Sequence, residues 1–210
     1  MDAGSPRFPR ARLGVLAAVV LVLVVVAAAC GSDGSDTELA GLQQDPAPQV
    51  GQVALPDALD GGTPAPMRAE PGELLLVFFG FTRCPDICPT TMATVATALD
   101  QHPDLVDEVE LAMVSVDPDR DSAEVMAPYV SSFVDRARAL RTDDPDALRA
   151  AADAFGASYL ISTDADGEPD VGHSAYLYGV DDRGEVVVTW GFGVTPDELS
   201  SDLSTLLTES

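Results

Sequence analysis

The stretch Phe78-Phe79-Gly80-Phe81-Thr82-Arg83-Cys84-Pro85-Asp86-Ile87-Cys88-Pro89 constrains this chain more than any other. The apolar run Leu74 to Phe79 reads as a buried strand. It breaks into a short loop carrying two cysteines, where a helix is expected to begin. Cysteines four positions apart stand slightly more than one helical turn from each other, so Cys84 and Cys88 can present both sulfurs on one side. A helix N-terminus carries partial positive charge that favours thiolate over thiol, and Arg83 adds a full charge beside it. The pattern predicts a soft, anionic two-sulfur site, fit for redox chemistry or for a soft metal such as Cu(I). A structural disulfide is the plainer alternative. Against it, a bridge closing so short a loop stabilises little by chain entropy, and a staple does not require Pro85 and Pro89 around the turn.

The third cysteine, Cys30, is explained by the N-terminus. Arg7, Arg10 and Arg12 precede a run of small and aliphatic residues from Leu13 to Ala29, the pattern of an export signal. Ala27-Ala28-Ala29-Cys30-Gly31 resembles a bacterial lipobox, which predicts cleavage after residue 29 and lipidation of Cys30. A single transmembrane anchor is the alternative, since the run is slightly short of the roughly 20 residues a span needs. Both place the remainder outside the cytoplasmic membrane, because the arginines stay inside. Residues 1–29 are thus expected to be a signal peptide, 30–50 a lipidated cysteine with a flexible Gly/Ser/Asp/Gln/Pro tether, and 51–210 the folded domain. The polar stretch itself extends to about Gln52. The formal net charge of -24 opposes phosphate backbones, so nucleic acid is excluded as a partner.

Along the domain, Val53 to Leu55 and the Gly61-Gly62 turn predict a short hairpin. A helix through Leu99 follows the cysteines, ending at His102-Pro103, and Glu110 to Val116 is a second apolar strand. Asp121 and Glu124 have the spacing of a capping box for a helix through Phe133. Asp144-Pro145 starts another helix, with Gly156 just past its end. Tyr159 to Ile161 reads as a short strand, and Ala175–Val180 with Glu185–Trp190 as a hairpin. Thr195-Pro196-Asp197-Glu198 caps a last helix to about Leu207. This order predicts an α/β fold with a central mixed sheet flanked by helices. A cysteine pair between the first core strand and its helix is the thioredoxin-like arrangement, here with an N-terminal hairpin extension.

His173 lies in Asp170-Val171-Gly172-His173-Ser174, read as a loop leading into the hairpin. Such a loop packs beside the cysteine turn in a thioredoxin-like fold, and two thiolates with one imidazole would satisfy trigonal Cu(I). Cu(II) could also be held with an oxygen ligand added. A lone histidine is more often without such a role. Asp117, Asp119 and Asp121 invite a hard metal, but a helix cap, the Pro118 turn and neutralisation by Arg120 explain them as well. Asp117 ends a strand on the same edge as Cys84 and could line the site. Asp164-Ala165-Asp166-Gly167 reads as a turn, since the full calcium-loop pattern is missing. Gly80 is expected where backbone approaches closely.

The run from Phe78 to Pro89, Ser115-Val116-Asp117-Pro118-Asp119-Arg120-Asp121, Tyr129, Phe133 and His173 before a Tyr-Leu strand together resemble the Sco/SenC family. These are copper chaperones of cytochrome oxidase assembly, and the likeness covers about residues 51–207. It implies a thioredoxin-like fold with copper on Cys84, Cys88 and His173. It further implies delivery to the copper-site subunit of cytochrome c oxidase, and the lipobox read above would hold the carrier, lipid-anchored, on the extracytoplasmic face of the cell membrane. The departures, Ser122-Ala123 where Thr-Pro is frequent and Arg83 at a variable position, touch a helix cap and metal affinity. The other reading of the pair is a thiol-disulfide oxidoreductase that reduces the oxidase's copper-site cysteines, which would not need His173. A thiol peroxidase fits the paired motif poorly.

Overall fold

The computed structural model describes Met1 and residues 38–209 of the chain. The expected signal peptide and Cys30 lie outside the described residues. In chain order the elements are β1 (Ala54–Asp57), β2 (Thr63–Pro66), β3 (Leu74–Gly80), α1 (Ile87–Gln101), β4 (Val109–Ser115), α2 (Ala123–Ser131) and β5 (Ala137–Leu140). They continue with α3 (Pro145–Phe155), β6 (Tyr159–Thr163), β7 (Pro169–His173), β8 (Leu177–Val180), β9 (Val186–Trp190) and α4 (Pro196–Glu209).

Seven strands form one mixed sheet in the order β2-β1-β5-β4-β3-β8-β9, and β6 and β7 form a separate hairpin. The centre is β3, whose every residue is buried. A strand buried on both faces needs a continuous apolar sequence, which Leu-Leu-Leu-Val-Phe-Phe supplies. It runs parallel to β4, in register from Leu74 against Val109 to Gly80 against Ser115, and antiparallel to β8. β5 continues the parallel set, and the β1–β2 hairpin closes that side. Helices α1 and α4 pack together.

Two helix starts form as their sequences dictate. Asp144 Oδ1 accepts from the backbone N–H groups of Asp146 and Ala147, Pro145 takes the first helical position, and Gly156 ends α3 at a left-handed φ of 65°. Thr195 and Glu198 form the reciprocal box that opens α4.

Four expectations are corrected. The segment read as a tether is, from Ala40, part of the fold. The backbone N–H groups of Ala40 and Gly41 donate to the Asp202 carboxylate, Leu42 and Thr189 exchange both backbone bonds, and Val50 is fully buried. This strap covers the outer edge of β9, which would otherwise stand open to another strand. Next, β5 intervenes where two helices were expected to follow one another, and α2 ends at Ser131 rather than Phe133. Last, the loop assigned around His173 is strand β7 paired with β6. Among the described residues, no helix is long and apolar enough to cross a membrane.

Candidate metal centre

Topology explains why distant residues meet. Parallel β3 and β4 deliver their carboxyl ends to one edge of the sheet, where loops of an open α/β sheet gather functional groups. The β3 end leads through Phe81 and Thr82 to Cys84. Antiparallel β8 begins at that same edge, with Leu177 opposite Phe78, so the segment just before it, His173 to Tyr176, arrives there too.

The first turn of α1 then shapes the sulfur pair. Its N-cap, Asp86, makes no side-chain cap bond to the helix, and the N–H of Cys88 donates instead to Cys84 Sγ at 3.3 Å. Pro89 follows without an N–H, so one fewer donor is left unpaired. Cys84 is half-buried and Cys88 fully buried, and both are free thiols. His173 Nε2 lies 3.3 Å from Cys88 Sγ, while its Nδ1 stands 3.0 Å from the carbonyl oxygen of Ser174. That carbonyl can only accept, so Nδ1 carries the proton and Nε2 presents a lone pair to the sulfur. The rings of Phe78 and Phe81 stand edge-on to the imidazole at 5.7 and 5.8 Å. The three donor atoms of Cys84, Cys88 and His173 all lie within 4.8 Å of one another.

Burial decides the electrostatics. It pushes the Cys88 thiol far above its ordinary value, and a main-chain bond from Phe81 only partly opposes it. The thiolate expected at this helix N-terminus is therefore a thiol at Cys88. Burial also lowers His173, against a smaller opposing contribution from the Ser174 carbonyl, which keeps the imidazole neutral at neutral pH. Cys88 S–H then donates to Nε2. Gly80 is obligatory: a Cβ there would stand 2.6 Å from Phe78 Cε1 and 2.9 Å from Cys88 Sγ.

Asp121 does not cap α2, whose N-cap is Ser122. Its carboxylate turns inward and accepts from Thr82 N–H, Thr82 Oγ1 and Ser115 Oγ. Asp117 is buried and ion-paired with Arg120, which also lies over the Phe81 ring and reaches the carbonyl of Pro169. Arg83 is exposed. His102 is the C-cap of α1, and Asp164 accepts from Asp166 and Glu168 N–H in a turn, as expected. Sequence patterning gave no role to Tyr129. Among the described residues its buried hydroxyl has no hydrogen-bond partner, and it is pushed up to about 12, chiefly by burial and then by Cys88, Cys84 and Asp121. Only its place in the resemblance hinted at the site.

The SCO1/SenC family model matches residues 60–208. The chain belongs to the SCO1/SenC family. Among solved structures, apo Sco1 from Thermus thermophilus is 31% identical, with 82% of this chain and 99% of that one covered at a TM-score of 0.68. ScoI of Bradyrhizobium japonicum with copper bound is 30% identical, covering 73% and 96% at a TM-score of 0.62. An SCO2-like protein of Rickettsia prowazekii is 29% identical over 131 residues, 61% of this chain and 63% of that relative. This SCO1/SenC chain spans 63% of that Rickettsia relative and 40% of the SCO1 homolog 1 of Arabidopsis thaliana, less than two thirds of either. The α/β, thioredoxin-like fold expected from the sequence is the fold of these Sco structures.

Proposed function

We propose that this chain binds copper at Cys84, Cys88 and His173 and hands it to the dinuclear copper site of a cytochrome c oxidase subunit. The observation that carries the reading is the convergence of two sulfurs and one unprotonated imidazole nitrogen within 4.8 Å. Two thiolates and a neutral imidazole are a soft set suited to Cu(I). Cu(II) would take the same set with an oxygen ligand added. Uptake displaces the protons of both thiols, including the one Cys88 shares with His173 Nε2. Release proceeds by exchange: an incoming thiolate forms its bond to the metal as one sulfur of this chain leaves. Half-buried Cys84 is the accessible one to leave first, and Cys88 with His173 hold on until the partner has engaged. Lipidation of Cys30 would place the domain at the extracytoplasmic face of the cell membrane, where such an oxidase subunit exposes its copper site.

A second reading is favoured by the unequal exposure of the pair. Half-buried Cys84 beside buried Cys88 is also the arrangement of an attacking and a resolving thiol. In that reading Cys84 attacks a partner disulfide, and Cys88 displaces the partner from the mixed disulfide. The partner leaves reduced and this chain is oxidised to the Cys84–Cys88 bridge.

One experiment separates them. The full chain in detergent is reduced, loaded anaerobically with Cu(I) against a competing chelator, and compared with Cys84→Ser/Cys88→Ser. One copper per wild-type chain and none in the variant is the expected result. Failure to outcompete a weak chelator, with rapid turnover of a disulfide substrate, would replace the carrier with the oxidoreductase.

A further inference from the structure

Asp121 is a charge-bearing side chain beside the sulfur pair that the proposed site does not use. It has no solvent exposure, and every hydrogen bond to its carboxylate is received rather than given. Thr82 N–H donates to its two oxygens at 3.2 and 3.1 Å, Thr82 Oγ1 donates to Oδ1 at 2.5 Å, and Ser115 Oγ donates to Oδ2 at 2.7 Å. An acceptor-only group among donors is the setting of an ionised carboxylate. The neighbouring arginines are committed elsewhere, Arg120 to Asp117 and Arg141 to Asp143, and among the described residues no ion pair reaches the Asp121 carboxylate. Arg141 donates instead to the Asp121 main-chain carbonyl.

The carboxylate fastens the cysteine loop to the sheet. Thr82 is two residues before Cys84, Ser115 ends β4 opposite Gly80, and Val116 N–H donates to the Gly80 carbonyl beside them. The same bonds bring the charge to the sulfur pair: Thr82 lies two residues before Cys84, and Ser115 stands opposite Gly80, where a Cβ would come within 2.9 Å of Cys88 Sγ. Among buried groups a unit charge is poorly screened.

We infer that Asp121 is a positioning residue whose fixed negative charge sets the oxidation-state preference of the copper site, favouring Cu(II) over Cu(I). The inference rests on copper binding at Cys84, Cys88 and His173. Two thiolates and a neutral imidazole leave the site uncharged with Cu(II) and with one negative charge with Cu(I). A buried anion behind the sulfurs opposes the second state. The metal-free dithiol and disulfide are both uncharged, so the same carboxylate leaves the potential of that couple unmoved. Charge and scaffolding are thereby separable.

The test uses the full chain in detergent, wild type and Asp121→Asn, which keeps the shape and most hydrogen bonds while removing the charge. The midpoint of the Cu(II)/Cu(I) couple is read by mediated optical titration of the copper-loaded proteins. The dithiol/disulfide potential of the metal-free proteins is read at about pH 6, where thiols ordinarily hold their protons. The copper midpoint is expected to rise by about 59 mV, equivalent to roughly tenfold in the ratio of Cu(I) to Cu(II) affinity. The dithiol/disulfide potential should stay in place. Thr82→Val, which loosens the loop and keeps the charge, should not raise the copper midpoint. If Asp121→Asn does not fold, Asp121→Ser makes the same comparison. Equal copper midpoints overturn this inference alone, as does a rise matched by Thr82→Val or by an equal movement of the disulfide potential. A wild-type chain that takes up no copper removes the copper reading and this inference with it.

Discussion

His173 Nε2 stands 3.3 Å from Cys88 Sγ although 85 positions separate the two residues in the chain. The contact is prepared from both sides. The Ser174 carbonyl fixes the tautomer and the edges of Phe78 and Phe81 fix the ring plane. His173→Ala should therefore leave the fold intact and weaken Cu(I) binding by more than the roughly 10–100-fold that losing a ligand's outer partner costs. Competition against a chelator of known affinity checks this, and an unchanged affinity would take His173 out of the site.

Cys88 gives the metal-free protein a pH signature. Its folded value lies above the ordinary 9.0, so the folded state holds a proton that the unfolded chain gives up. The associated stability is fully present below pH 9.0 and is lost as pH rises above it, at up to about 1.4 kcal/mol per pH unit for one proton. Urea unfolding of the reduced, metal-free chain between neutral pH and pH 10, below the range in which the raised Tyr129 and Tyr178 hydroxyls add their own slope, should show this slope, and Cys88→Ser should lose it. The same burial predicts that iodoacetamide labels Cys84 well before Cys88. Equal labelling rates at neutral pH would contradict it.

Where one physical influence acts alone, the sequence was readable. β3 and the body of β4 are apolar throughout because neighbours cover both faces, and α3 and α4 carry their own caps and breakers. β5 was hidden by Arg136 and Arg138. Arg138 pairs with Glu110 of the neighbouring strand, and Arg136, just ahead of β5, pairs with Glu73, so charge masks a strand that tertiary contacts hold. β7 was hidden for the opposite reason: it pairs only with β6, outside the main sheet, and has no buried face to impose alternation. At the site, Cys84, Cys88 and His173 were all named, yet the protonation of Cys88 was not. Helix-terminus charge is visible in the sequence, whereas the burial that outweighs it is set by packing. Asp121 was likewise read by local spacing to Glu124, while its actual partners, Thr82 and Ser115, lie on other elements.

Gly80 sets how close the sheet comes to the buried sulfur. Gly80→Ala would place a methyl group 2.6 Å from Phe78 Cε1 and 2.9 Å from Cys88 Sγ, and Phe78 is fully buried and cannot swing away. A loss of about 1–3 kcal/mol in unfolding free energy is expected from such overpacking, with weaker copper retention as the sulfur is pushed aside. Denaturant midpoints and chelator competition report the two effects. Wild-type stability in the variant would mean that the Phe78 ring has room to move.

Asp202 plays no part in the metal site and holds the strap instead. Its carboxylate, 3% exposed, accepts from Ala40 N–H at 3.1 Å, Gly41 N–H at 2.9 Å and Trp190 Nε1–H at 2.8 Å. The strap lies hard against β9 at this point, since a Cβ on Gly41 would stand 2.3 Å from Val188 Cγ2 and 2.7 Å from Trp190 Nε1. Asp202→Ala leaves the indole N–H buried without a partner and frees the two strap donors to seek water, a loss of about 1–3 kcal/mol. Protease should then cut between residues 38 and 50 while the remaining domain resists. The single tryptophan makes the change directly visible as altered fluorescence at Trp190. Copper affinity should stay at the wild-type level. A strap that remains protected in Asp202→Ala would show that the Leu42 and Val50 contacts hold it unaided.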